Sequence, residues 1–269
     1  MNAAGSAGDQ DRPMLFEPML FEMTGIIKRL GGLVALDRVD FAVRGGEVMA
    51  LVGDNGAGKS TLIKTMSGAY IPDAGEMRMA GQAVHFRSPQ DAWRGGIATI
   101  YQELALAGKM TVADNIFLGR EIKRPVLGIP FLDRPAMRRR TAELLSQLDV
   151  HVPSLDSWVE TMSGGQRQGI AVARAVLWAS RLVLMDEPTA ALGVVQTSRV
   201  RALIESVREQ GVSVLLVSHN LPFVFEVADR IEVLRLGRRV AVFSRAEATA
   251  EGVLGAMTGA VDAPTAAPE

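Results

Sequence analysis

One short stretch restricts the fold of this chain more than any other. Val48-Met49-Ala50-Leu51-Val52 runs directly into Gly53-Asp54-Asn55-Gly56-Ala57-Gly58-Lys59-Ser60-Thr61, and a helical pattern follows at Leu62 to Met66. An unbroken apolar run suits a strand buried on both faces of a parallel sheet. Glycines at the ends and middle of the next segment let the backbone curl so that successive N–H groups point inward. A helix beginning there adds its partial positive charge. This is the G-x-x-x-x-G-K-[ST] pattern in the strand–turn–helix context it requires, and it marks a phosphate cradle. Lys59 is placed to reach the β- and γ-phosphates of a nucleotide, and the Ser60 hydroxyl to ligate Mg²⁺.

The rest of the chain supports an α/β protein with a mostly parallel sheet. Further apolar runs occur at Ile97 to Tyr101, Leu182 to Met185, Val212 to Val217 and Arg230 to Arg235, with helical patterns after most of them. Such alternation points to right-handed crossovers. The stretch from about Glu103 to Trp178 breaks the alternation and reads as an inserted, mostly helical subdomain, for instance at Arg134 to Leu148. We expect disordered tails at residues 1–19 and 259–269, both rich in small, polar or Pro residues, around one domain spanning 20–258.

Composition closes other routes. There are no cysteines, so disulfide, thiolate and cysteine-zinc chemistry are excluded. Net charge is −1, which gives no overall attraction to nucleic acid. The longest stretch without Asp, Glu, Lys or Arg, Gln210 to Phe225, contains His219, Asn220 and Pro222. It falls short of the about 20 apolar residues a spanning helix needs.

Leu182-Val183-Leu184-Met185-Asp186-Glu187 ends an apolar strand in two carboxylates, at the sheet edge where ligands bind in open α/β folds. Asp186 is the candidate Mg²⁺ ligand and Glu187 the candidate base. Thr161-Met162-Ser163-Gly164-Gly165-Gln166-Arg167-Gln168 opens a helix through Ile170 to Ala175 and forms a second anion site. Together these motifs resemble the ABC ATPases, whose signature reads Leu-Ser-Gly-Gly-Gln; here Met162 replaces the Leu. Tyr101-Gln102-Glu103 resembles the family's Q-loop and His219 its switch histidine. The resemblance covers roughly residues 20 to 258.

The resemblance implies a P-loop ABC ATPase core, an antiparallel β subdomain and the helical insertion. It implies ATP held by Gly53 to Thr61, contacted by Ser163, Gly164, Gly165 and Gln166 of a second copy in a head-to-tail sandwich. Mg²⁺ would meet Ser60, Gln102 and Asp186, with Glu187, His219 and Gln102 serving hydrolysis. Two departures stand out. Leu30 occupies the place where the family usually stacks an aromatic on adenine, and the usual Ser-Ala-Leu-Asp reads Ala190-Ala191-Leu192-Gly193.

Within the family, Tyr101 to Leu106, Thr111 to Glu121 and Glu187 to Leu192 resemble monosaccharide importers of the ribose/fructose group. Met23 to Arg29, Ser218-His219-Asn220, Phe225 to Ile231 and Arg235 to Arg239 resemble bacterial fructose-import ATPase subunits. That implies a peripheral ATPase on the cytoplasmic face of the inner membrane, beneath two permease subunits and served by a periplasmic sugar-binding protein. Another importer or exporter class is the alternative. A soluble ABC ATPase of translation or DNA repair would carry two such units or a long coiled coil, and a P-loop kinase or GTPase would not need Ser163-Gly164-Gly165-Gln166. The basic run Arg134 to Arg140 reads as a solvated helix face, so no nucleic acid partner is expected.

Overall fold

The computed structural model describes residues 19–126, 128–178, 181–190 and 192–260. Two sheets form the frame. β1 (Met19–Leu30), β2 (Leu33–Arg44), β4 (Ala74–Met79) and β5 (Gln82–Val84) make an antiparallel sheet in the order β2-β1-β4-β5. β3 (Val48–Val52), β6 (Ile97–Ile100), β9 (Leu182–Asp186), β10 (Ser213–Val217), β11 (Arg230–Arg235) and β12 (Arg238–Ser244) make the second, in the order β12-β11-β3-β10-β9-β6. All its neighbours are parallel except β12 on β11. The expected mostly parallel sheet and antiparallel subdomain are both present.

Unbroken apolar runs form the central strands because both faces are covered. Val48, Ala50 and Val52 of β3 pack with the helical side, while Met49 and Leu51 pack toward the antiparallel sheet. β9 and β10 divide in the same way: Val183 and Val214 on one face, Leu184 and Leu215 on the other. The helical side holds α5 (Gly164–Trp178), α6 (Val194–Glu209), α7 (Leu221–Val227) and α8 (Ala250–Thr258). Between the sheets lies α1 (Lys59–Met66), with Leu62, Ile63 and Met66 fully buried. α1 begins at Lys59, ahead of the predicted Leu62, so the Lys-Ser-Thr triplet is its first turn.

The insertion leaves the sheet after β6 and returns at β9, two strands paired in parallel with Ile100 opposite Met185. It contains α3 (Val112–Ile116), α4 (Arg134–Gln147) and α5. It also contains a hairpin that the helical reading did not anticipate, β7 (Lys123–Val126) with β8 (Ile129–Leu132). Pro125, Gly128 and Pro130 depress strand propensity, and no period-2 alternation marks the segment. On α4, Arg138 pairs with Asp156 and Arg140 with Glu143, and Arg138, Arg139 and Arg140 are exposed, as expected of a solvated face. The remaining helix, α2 (Pro89–Arg94), precedes β6. The two expected tails fall almost wholly outside the described residues, although β1 already begins at Met19 and α8 is followed by described residues up to Ala260.

Candidate functional site

β3 delivers the chain to the loop and α1 takes it away. Gly53 has φ +154° and a Cβ there would sit 2.2 Å from Leu234 O; at Gly58 (φ +107°) it would sit 2.7 Å from Ala35 O. Only glycine fits either place. Ala57 is buried and its N–H closes the loop on Asp54 O at 3.1 Å, while Asp54, Asn55 and Gly56 are exposed. The first intrahelical bond runs from Leu62 N to Gly58 O, at 2.9 Å. The N–H groups of Lys59, Ser60 and Thr61 therefore precede the helix's own bonding. Lys59 is buried, and its Nζ donates to Gly53 O (2.6 Å) and Asp54 O (3.0 Å), spanning the loop from inside. Burial lowers its pKa, opposed by the charges of Glu187, Asp186 and Asp54.

The carboxylates arrive at the end of β9, which is separated from β3 by β10. Burial, aided by the adjacent Glu187 charge, pushes the Asp186 pKa up, while Lys59 and Lys64 pull it down. β10 pairs with β9 so that Val217 lies opposite Asp186, and Glu187 N donates to Val217 O at 2.9 Å. The chain beyond Val217 then brings His219 Nδ1 to 2.9 Å from Glu187 Oε2. Glu187 is a non-glycine residue at φ +51°, a conformation costing about 1–3 kcal/mol that persists where surrounding bonds impose it. Here its N–H and its carbonyl, which accepts from Ala190 N at 3.1 Å, are both held. Gln102 is exposed just beyond β6, the strand next to β9, and so leaves the same sheet edge as Asp186.

The signature motif caps α5. Ser163 Oγ accepts from Gln166 N (3.3 Å) while Gln166 Oε1 accepts from Ser163 N (2.9 Å), a reciprocal capping arrangement. Gln166 Nε2 also donates to His151 O. Met162 is buried in the core that holds Ile170, so it keeps the anchoring role of the residue it replaces. Ser163 and Gly164 are exposed. The cavity of about 420 Å³ beside the phosphate loop is lined by Asn55, Gly56, Gly58, Lys59, Ser60 and Thr61 together with apolar residues, and by none of the signature. The tertiary structure thus brings Lys59, Asp186, Glu187, His219 and Gln102 to one edge and leaves Ser163 to Gln166 elsewhere on the surface.

Four features lay beyond the sequence reading. The cavity beside the phosphate loop is walled by Leu30, Leu33, Val34 and Leu236, all at least partly exposed. The β11–β12 turn is tied there by Gly237 N to Ala57 O (2.9 Å) and Asp37 N to Gly237 O (2.8 Å). Arg174 of α5 donates to Leu104 O (3.0 Å) and Ala105 O (2.8 Å), tethering the segment after Gln102 to the insertion. An open groove of about 390 Å³ between the core and the insertion is lined by Trp93, Tyr101, Leu118, Arg120 and Arg174, among others. Distant pairing makes each of these, and no local motif signals it.

A strand, phosphate loop and helix, with two carboxylates at the end of β9 one strand away across β10, define a P-loop nucleotide-binding protein. The sequence pattern of the ABC transporter family matches residues 36–190, and the chain belongs to that family as an ATP-binding cassette whose ATP hydrolysis is coupled to transport. It is 50% identical to the fructose import ATP-binding protein of Rhizobium meliloti, over 93% of this chain and 98% of the relative. It is 44% identical to the xylose/arabinose import ATP-binding protein of Sulfolobus acidocaldarius, over 89% and 94% of the two chains. A ribose import ATP-binding protein of Rubrobacter xylanophilus is 47% identical over 82% of this chain but only 43% of its own length. Among solved structures, an ATP-binding cassette of an ABC transporter superposes with TM-score 0.78 at 24% identity, over 90% of this chain and 98% of that one. A dimeric cassette bound to ADP and phosphate superposes with TM-score 0.71 at 22% identity, over 84% and 99%. These superpositions establish the fold.

Proposed function

We propose that this chain is the ATP-hydrolysing subunit of a monosaccharide importer, with fructose as its substrate. The sugar rests on the names of its relatives, among which the fructose importer matches nearly end to end. The observation that carries the hydrolytic reading is the convergence of Lys59, Asp186, Glu187 and His219 on the edge of one parallel sheet.

In this reading the β- and γ-phosphates of ATP sit in the curl from Gly53 to Thr61. Incoming phosphate oxygens replace Gly53 O and Asp54 O as acceptors for Lys59. The donor set suits Mg²⁺. Among the described residues no group of three or more His, Asp or Glu could hold a metal by itself. A magnesium ion bound through one or two carboxylates and the substrate's phosphates needs no such cage. Asp186, the Ser60 hydroxyl and the Gln102 amide would be the protein's share, and the metal would supply neutralisation of phosphate charge. Glu187 orients and deprotonates the attacking water, and His219 contacts the γ-phosphate.

The Ser163-Gly164-Gly165-Gln166 cap, exposed at Ser163 and Gly164, closes on the phosphates of a second copy, head to tail. One of the two permease subunits docks on the groove at Trp93, Tyr101 and Leu118 of each copy, beside the Leu104–Ala105 segment that Arg174 ties to α5. Of the apolar side chains near Gln102, Phe117 is core and Leu104 and Leu106 pack on that core, while Leu118 is exposed. A periplasmic sugar-binding protein acts through the permease. The subunit sits peripherally on the cytoplasmic face of the inner membrane; among the described residues no helix is long and apolar enough to cross a membrane.

The test is reconstitution of the chain in proteoliposomes with the permease and binding protein encoded beside it. Fructose should accumulate only with ATP, and ATP turnover should rise with loaded binding protein. Transport of a non-sugar solute instead would overturn the monosaccharide assignment.

A further inference from the structure

The β7–β8 hairpin is unlike the rest of the molecule. β8 is exposed along its whole length, and so are Lys123, Arg124 and Pro125 of β7. Ile129, Phe131 and Leu132 are 59%, 51% and 44% exposed. The register places Arg124 opposite Phe131 and Lys123 opposite Leu132. One face of the ribbon therefore carries Arg124, Phe131 and Ile129, and the other Lys123 and Leu132. A two-stranded ribbon without a covered face is marginal in water. Large apolar side chains on both faces add to that cost unless something covers them.

Its charge indicates what covers it. Residues 122–132 include no Asp or Glu; Glu121 and Asp133 flank them and Arg134 comes next, which leaves a net charge of +1 over residues 121–134. Lys123, Arg124 and Arg134 form no ion pair among the described residues. The chain as a whole carries a net charge of −1, so an anionic surface attracts it only locally. Pro125 and Pro130 stand opposite one another, and neither has an N–H to donate. A further strand from a protein would pair poorly along such edges. Missing donors also lower the cost of leaving water. Aromatic and aliphatic side chains interleaved with exposed cations suit a fluid interface with anionic headgroups.

We propose that the Lys123–Leu132 hairpin is a membrane-surface anchor, inserting Ile129, Phe131 and Leu132 among acyl chains while Lys123, Arg124 and Arg134 meet anionic phospholipid headgroups. None of its residues lines the permease groove or the cavity beside the phosphate loop, so its failure leaves the proposed function intact.

Sedimentation of the full chain with vesicles tests it. The chain should pellet with vesicles of mixed phosphatidylcholine and phosphatidylglycerol, not with pure phosphatidylcholine, and less so as salt rises. Lys123→Glu with Arg124→Glu should weaken binding by at least about fivefold for each cation removed. Ile129→Ser with Phe131→Ser should weaken it on the same vesicles without changing net charge. ATP turnover should be unchanged in both variants, which also reports that they fold. Absence of binding to the mixed vesicles, or equal binding by the variants, overturns the proposal. So does hairpin-dependent self-association in light scattering without vesicle binding, which would assign the surface to a second copy.

Discussion

His219 Nδ1 lies 2.9 Å from Glu187 Oε2, although the two residues follow different strands of the sheet. The parallel register of β9 with β10 and the bond from Glu187 N to Val217 O make this contact. Glu187 thereby carries its carboxylate beside the loop that holds Lys59, on a strained backbone fixed at both ends.

Glu187→Gln should retain ATP and stop turnover. Glutamine keeps the shape and an acceptor oxygen but is not a base. Loss of a general base costs about 10²–10⁴-fold in rate. Removing a negative charge beside a polyanion should tighten ATP binding. With hydrolysis blocked, two copies should stay joined through bound ATP and elute as a dimer on size exclusion only when ATP is present. Turnover near the unmutated rate would remove Glu187 from the role of base.

Lys59→Ala should abolish nucleotide binding or turnover. The ammonium sits inside the loop, and each of its charge-assisted bonds to phosphate is worth about 1.5–3 kcal/mol. Calorimetry with ATP on the folded variant is the check, and unchanged affinity would refute the phosphate-loop assignment.

Base selectivity should be weak. Leu30, Leu33, Val34 and Leu236 wall the cavity beside the phosphate loop, and aliphatic carbons offer contact area but no donor or acceptor to a purine edge. GTP should be used within about tenfold of ATP, a difference of about 1.4 kcal/mol. Leu30→Tyr should tighten both nucleotides by restoring a stacking face. A preference for ATP of about a hundredfold in competition assays would mean that another group reads the base.

Stability should fall between about pH 5 and 8 because of Glu232. Its side chain is 1% exposed, and burial raises its pKa to about 8, against the pull of Arg239 and Arg230. The folded state therefore keeps a proton that the unfolded chain, near its ordinary value of 4.5, releases first. Between those values the folded state binds more protons, so raising the pH favours unfolding. Above pH 8 this contribution to the slope should vanish. Glu232→Gln should flatten the dependence and be relatively more stable at pH 9 than at pH 6 in urea titrations. An unaltered profile would show that the carboxyl is already ionised in the folded protein.

The parts of this protein legible from sequence are those whose chemistry is local. Gly53 to Thr61 must be glycine-rich to curl, must follow a strand and must open a helix, so the pattern announces its own structure. The same holds for Ser163 to Gln166, whose cap is closed by bonds between residues three apart, and for the apolar runs that sheet burial on both faces demands. The carboxylates at Asp186 and Glu187 were legible because they end such a run. What only the tertiary structure decided depends on residues far apart in the chain. Register between β9 and β10 sets Glu187 against His219, and β6 beside β9 puts Gln102 on their edge. The turn at Gly237 closes the phosphate loop through Ala57, and Arg174 reaches back to Leu104 and Ala105. The hairpin from Lys123 to Leu132 was hidden for a related reason: its strands have poor propensity and no covered face, so no period-2 pattern records them. A sequence writes down local backbone chemistry and burial. Contacts between distant strands follow from how the sheet is ordered, and only the folded chain sets that order.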